Sequence, residues 1–140
     1  MSNDVLVPES RTEPAAILDP LDTRVRIEAL KLLEKGWLDG QGVAPPHDGL
    51  DWLADAFDSL YPDESPLPYL FPTPEGRLLA EWSIAPWAVS LEIDLVAKSG
   101  RWHSLNMDTD FEETRDLDLT IPTDWEWIVE QLHNRVAENA

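Results

Sequence analysis

The chain has 140 residues, and its 28 Asp and Glu against ten Lys and Arg give a formal net charge of −18. A charge of that size repels nucleic acid and anionic membranes, because both are polyanions. Hydrophobic residues make up 43% and include seven Trp, which sets the chain apart from disordered acidic sequences, while the lack of cysteine excludes disulfides, thiolate chemistry and cysteine-zinc sites.

Residues 1–18 read as a flexible acidic tail interrupted by Pro8 and Pro14, and 19–140 as a single domain. The N-terminus lacks the basic start and apolar run of a signal peptide, and no stretch approaches the roughly 20 apolar residues that span a bilayer. A cytoplasmic location is therefore expected.

A first helix is predicted over Thr23–Lys35, capped by Asp22 or Thr23. Ile27, Leu30, Leu33 and Trp37 recur near helical spacing, and Gly36 is placed to end it. A turn through Trp37–Gly42 and Pro45–Pro46 leads to Asp48, expected to cap a second helix over Gly49–Tyr61. Leu50, Leu53, Phe57 and Leu60 form its buried face, and Asp48, Asp51, Asp55 and Asp58 repeat at the same spacing on the opposite face.

The middle of the chain reads as β-structure. Pro68–Phe71, with proline on both sides, suits an edge strand, and Leu78–Ile84, Trp87–Val96 and Arg101–Met107 are successive strands. Placing Ile84 opposite Trp87 gathers Leu78, Ala80, Trp82, Val89, Leu91 and Ile93 on one apolar face. A three-residue loop at Lys98–Gly100 would pair Ala97 with Arg101. It would turn His103, Leu105 and Met107 inward, and Trp102 outward beside Leu79 and Val96.

Residues 108–118 carry six acids and read as a loop entering a fifth strand near Leu117, Leu119 and Ile121. Thr123 and Glu126 form a capping box for a last helix with Ile128, Val129, Leu132 and Val136 on its buried face. The order is α-α-β-β-β-β-(β)-α: an α+β fold with an antiparallel four- to five-stranded meander sheet and helices packed on one face.

Motifs for chemistry are missing. His47, His103 and His133 have no metal-ligand spacing, and Asp108-Thr109-Asp110 with Glu112 and Glu113 lacks the glycine and terminal Glu of a calcium loop. There is no G-x-S-x-G, no phosphate-binding glycine loop and no basic stripe for direct nucleic-acid binding. No catalytic residue, metal or cofactor is expected. Glu81, Glu92 and Asp94 share a sheet face and support one alternative, a metal-dependent hydrolase.

The turn Gly36-Trp37-Leu38-Asp39-Gly40-Gln41-Gly42 with Pro45-Pro46, followed by Pro72-Thr73-Pro74-Glu75-Gly76 and Glu81-Trp82, resembles small uncharacterised acidic bacterial proteins with a Gly-Trp turn and a Pro-Thr hairpin. The resemblance spans residues 23–107 and implies a shared fold, with no activity to carry over. Such proteins are similar in size and charge to antitoxins, immunity proteins and inhibitors from bacterial and phage conflict systems.

The surface therefore carries the functional expectation. A non-enzymatic binding protein would dock a basic partner (a nuclease, toxin or DNA- or RNA-binding complex) with carboxylates standing in for phosphates. Asp48, Asp51, Asp55 and Asp58 supply one charged line, Asp108, Asp110, Glu112, Glu113, Asp116 and Asp118 a second, and Trp102 an aromatic anchor. A structural accessory subunit of a larger bacterial complex is the other alternative.

Overall fold

A computed structural model describes residues 22–138, so the tail expected over residues 1–18 lies outside the described residues. Asp22 caps α1 (Thr23–Leu30), its carboxylate accepting from the amides of Arg24 at 3.0 Å and Val25 at 3.4 Å. The helix stops short of the expected Lys35. Leu32 is 80% exposed and Glu34 and Lys35 are exposed too, so these residues find no apolar surface to hold another turn. The chain instead tightens through Leu32 N–H to Ala29 O and Leu33 N–H to Leu30 O.

α2 (His47–Leu60) starts two residues before the expected Gly49. Pro46 holds the cap position without a side-chain cap. Asp48 therefore sits in the first turn, where its charge favours the helix N-terminus, and does not cap it. Leu50, Leu53, Ala54 and Phe57 face the core.

The sheet contains β1 (Tyr69–Pro72), β2 (Leu78–Ile84), β3 (Trp87–Asp94), β4 (Ser99–Asn106) and β5 (Glu112–Asp118). It is an antiparallel meander in the order β1-β2-β3-β4-β5. Ile84 pairs with Trp87 as expected, and the predicted apolar face of β2 and β3 is the buried one.

The β3–β4 register differs from expectation. Asp94 ends β3: its carboxylate accepts from the amides of Val96 at 3.0 Å and Ala97 at 2.9 Å, while Lys98 N–H returns to Asp94 O at 2.8 Å. Lys98 takes the left-handed position with φ 58°, so the loop is Leu95–Lys98, and Asp94 pairs with Ser99. The offset from the expected pairing is odd, which exchanges the two faces of β4. Trp102 lies opposite Leu91 and is fully buried, His103 and Leu105 turn outward, and Met107 is 58% exposed. Burying an indole removes far more apolar surface from water than burying an imidazole.

β5 begins at Glu112, within the segment expected to be loop. Of its seven residues only Leu117 is buried, because an edge strand covered on one side needs little apolar pattern. α3 (Pro122–Glu138) opens on proline, whose missing N–H costs nothing in the first turn. The expected capping box is displaced: Thr123 lies inside the helix, and the Asp124 carboxylate accepts from Asp118 N–H at 2.7 Å. Trp125, Ile128, Leu132 and Arg135 are buried, and Val136, expected inside, is 44% exposed.

The helices cover one sheet face. Phe57 of α2 meets Tyr61 and α3's Trp125 edge-on, with ring centroids 5.2 and 5.3 Å apart. No described helix is long and apolar enough to cross a membrane.

Tyr61 closes this aromatic cluster. Its hydroxyl donates to Pro66 O and accepts from Trp82 Nε1 at 3.2 Å. Burial pushes its ionisation up to about 12, partly offset by the Trp82 hydrogen bond. Between pH 10 and 12 the unfolded chain gives up this proton and the folded chain keeps it, so stability falls as pH rises, by roughly 2–3 kcal/mol across the window. Chemical denaturation at about pH 9 and about pH 11.5 should show this drop in the wild type and a smaller one in Tyr61→Phe. Equal drops in both proteins would remove Tyr61 as the cause.

Candidate interaction surface

The acidic ridge of α2 faces the basic side of α1. Arg24 bridges Asp55 at 3.1 Å and Asp58 at 2.5 Å, and Lys31 bridges Asp51 and Glu28, the latter at 3.0 Å. Hydrogen bonds to Asp58 and then Asp55 raise the Arg24 guanidinium's pKa. Lys31 is raised by its bond to Asp51, which is lowered in return. Asp51, Asp55 and Asp58 thus clamp α1 to α2, and Asp48 stays exposed without an ion pair among the described residues. Arg24 and Lys31 are seven residues apart, two turns along one helix face. That spacing was a usable sign of the clamp.

The second acidic line forms the β4–β5 hairpin. Asn106 shapes its turn: the side-chain oxygen accepts from the amides of Asp108 at 2.9 Å and Thr109 at 3.1 Å, and Asp110 is left-handed with φ 61°. Asp108 and Asp110 project from this turn, exposed and with no ion pair among the described residues.

Along β5 the carboxylates are more engaged. Glu112 meets His103 Nε2 at 2.5 Å, Asp116 meets Arg101 at 3.0 Å, and Glu113 turns to the helix side, 3.5 Å from Arg135. Asp118 accepts from the Thr120 hydroxyl and amide, which lower its pKa.

Trp102 cannot serve as the anchor. It is fully buried, 6.3 Å from Trp82 and edge-on to Trp127 at 5.2 Å. The hairpin instead exposes Phe111 (56%) and Met107 (58%) beside Asp108 and Asp110. The Phe111 ring lies perpendicular to Trp87 at 6.3 Å, which fixes its orientation while leaving most of it in water. Reading residues 108–118 as loop hid Phe111, although a lone aromatic between acids is a visible signal.

Of the three sheet carboxylates, Glu81 stands apart from Glu92 and Asp94. Arg77 pairs with Glu92 at 3.3 Å and Asp94 at 3.2 Å, in a shallow depression of about 420 Å³ that also contains Arg101 and Asp116. Glu81 lines another depression with Ser83, Ser90 and His103. Among the described residues no three metal-ligating side chains converge. Comparison with protein-family models, with curated proteins and with solved structures finds no match.

Proposed function

We propose that this chain is an acidic binding protein, of the inhibitor, antitoxin or immunity type, which docks a basic nucleic-acid-handling protein through its β4–β5 hairpin. The observation that carries this reading is the turn itself. Asp108 and Asp110 stand exposed with no cation of the described residues upon them, beside the half-exposed apolar side chains of Phe111 and Met107. Unpaired carboxylates steer a basic partner and stand in for the phosphates it normally holds. An adjoining aromatic adds contact area that salt does not weaken. The α2 ridge contributes less, because Arg24 and Lys31 already answer most of its charge.

The test is a pull-down from host lysate, washed at rising salt, comparing the triple variant Asp108→Lys, Asp110→Lys, Glu112→Lys with a control, Glu126→Lys, Glu130→Lys, on the exposed side of α3. The hairpin variant should lose about 100-fold in affinity for a basic partner, and the control only a few-fold through the long-range field. A partner held equally well in high salt, or equal losses in the two variants, would overturn the reading.

A further inference from the structure

Hydrogen bonding in β5 has a fixed phase. Asn106 N–H donates to Phe111 O at 2.8 Å and Leu119 N–H donates to Lys98 O at 3.0 Å. Both pairs belong to the β4–β5 register, in which Ser104 pairs with Glu113, Trp102 with Arg115 and Gly100 with Leu117. Antiparallel pairs alternate between bonded and non-bonded, so the backbones of Glu113, Arg115 and Leu117 point to β4. Those of Glu112, Thr114, Asp116 and Asp118 point away, to the sheet's open edge. Asp118 N–H fits this phase, since it is taken by the Asp124 carboxylate at 2.7 Å. The edge that remains runs over Glu112, Thr114 and Asp116, all exposed.

The opposite edge is closed. At β1, Arg26 Nε donates to Leu70 O at 2.9 Å, and prolines stand at 68 and 72. The sheet is therefore asymmetric, with one edge protected and the other presenting peptide groups between acidic side chains.

We propose that the β5 edge accepts an extended basic segment of the partner as a sixth strand, with lysine or arginine at alternate positions. The proposal rests on the function proposed above and specifies how the partner is held. Main-chain hydrogen bonds to Glu112, Thr114 and Asp116 supply the register. Basic side chains on the uncovered sheet face lie beside Glu112 and Asp116, whose own partners, the His103 imidazole and the Arg101 guanidinium, sit one strand further in. A second copy of this chain is the wrong occupant. Antiparallel self-pairing about Thr114 puts Glu112 opposite Asp116, acid against acid, on the uncovered face. It also sets Arg115 opposite Glu113, but on the covered face, where Arg115 already lies over the Trp127 ring and Glu113 already meets Arg135.

The probe is a synthetic peptide alternating lysine and valine, about eight residues long, to match a strand of ordinary length. Its counterpart has every internal amide N-methylated, which keeps the charge and removes the donors. The unmethylated peptide should slow hydrogen exchange at Glu112, Thr114 and Asp116 while leaving Glu113 and Arg115 unchanged, and should bind at least about tenfold more tightly than its counterpart.

Thr114→Pro removes one outward N–H without touching a bond to β4, and should cost a similar factor. Equal binding of the two peptides, full affinity in a folded Thr114→Pro, or no exchange protection at the three edge amides would overturn strand addition. If Thr114→Pro fails to fold, the peptide comparison decides. Lysate capture that persists with its salt dependence in any of these cases leaves the acidic docking function standing, so the two failures are distinguishable.

Discussion

Gly49→Ala should destabilise the protein by about 2 kcal/mol or more, although the substitution improves helix propensity by roughly 1 kcal/mol at an interior position. A Cβ at Gly49 would lie 2.5 Å from Leu95 Cβ and 2.7 Å from Leu95 O. The second contact is backbone, so no rotamer change relieves it. α2 would have to lift from the sheet at the point where its first turn meets the β3–β4 loop. That loop cannot retreat easily, because Asp94 holds it through Val96 and Ala97, and those bonds keep the Asp94 carboxyl below its usual range. Denaturant midpoints for Gly49→Ala, set against Ser59→Ala at an exposed position of the same helix, give the comparison. Ser59→Ala should be neutral or slightly stabilising. A Gly49→Ala protein as stable as the wild type would mean that propensity outweighs the clash.

The same loop explains where sequence reading succeeded and where it failed. The β2–β3 register was legible because both strands alternate cleanly, and a one-residue slip would expose every apolar side chain. β4 offers no such pattern. Its core-facing residues are Gly100, Trp102, Ser104 and Asn106, and only one is apolar and large. Lys98-Ser99-Gly100 looked like a turn, yet the residue that takes the left-handed position is Lys98, set by the Asp94 carboxylate four residues earlier. Gly100 is small for another reason: a Cβ there would fall 2.9 Å from Leu91 Cδ1 and 3.1 Å from Leu119 Cδ1. The error at the loop then carried into the candidate site, placing Trp102 outside. Separately, the run of acids over residues 108–118 read as loop and delayed the fifth strand to Leu117, although it begins at Glu112. The acidic residues were found by composition. Which of them were already paired depended on contacts between α1 and α2 that no local pattern fixes, apart from the spacing of Arg24 and Lys31.

Arg135 is the other place where local pattern misleads, since the helical period favoured Val136. Its guanidinium lies buried between the sheet and α3, 4.2 Å from the Trp87 ring and 5.6 Å from Trp102. It donates to Ser104 Oγ at 2.9 Å and to Gln131 at 3.1 Å, and reaches Glu113 at 3.5 Å. Burial lowers its pKa, and Glu113 and Glu138 work against that shift.

Arg135→Ala opens a cavity between two indoles, strips Ser104 of its donor and leaves Glu113 without its cation, so the loss should be about 3–4 kcal/mol. Arg135→Met refills the volume against the rings while leaving Ser104 unpaired, and should cost only about 1–2 kcal/mol. One donor is no further loss, because Arg135 Nε already has no partner among the described residues. Denaturation curves separate the cases. A Met variant as weak as Ala would show that the ionic contacts dominate, and an Ala variant within about 1 kcal/mol of the wild type would make Arg135 a bystander. The distinction matters for binding, because Arg135 ties both strands of the acidic hairpin to α3 through Ser104 of β4 and Glu113 of β5. In Arg135→Met that tie is gone while the packing remains. If the hairpin must be held rigid to present Glu112, Thr114 and Asp116 as an edge, the folded Met variant should bind the basic partner several-fold more weakly, through faster dissociation.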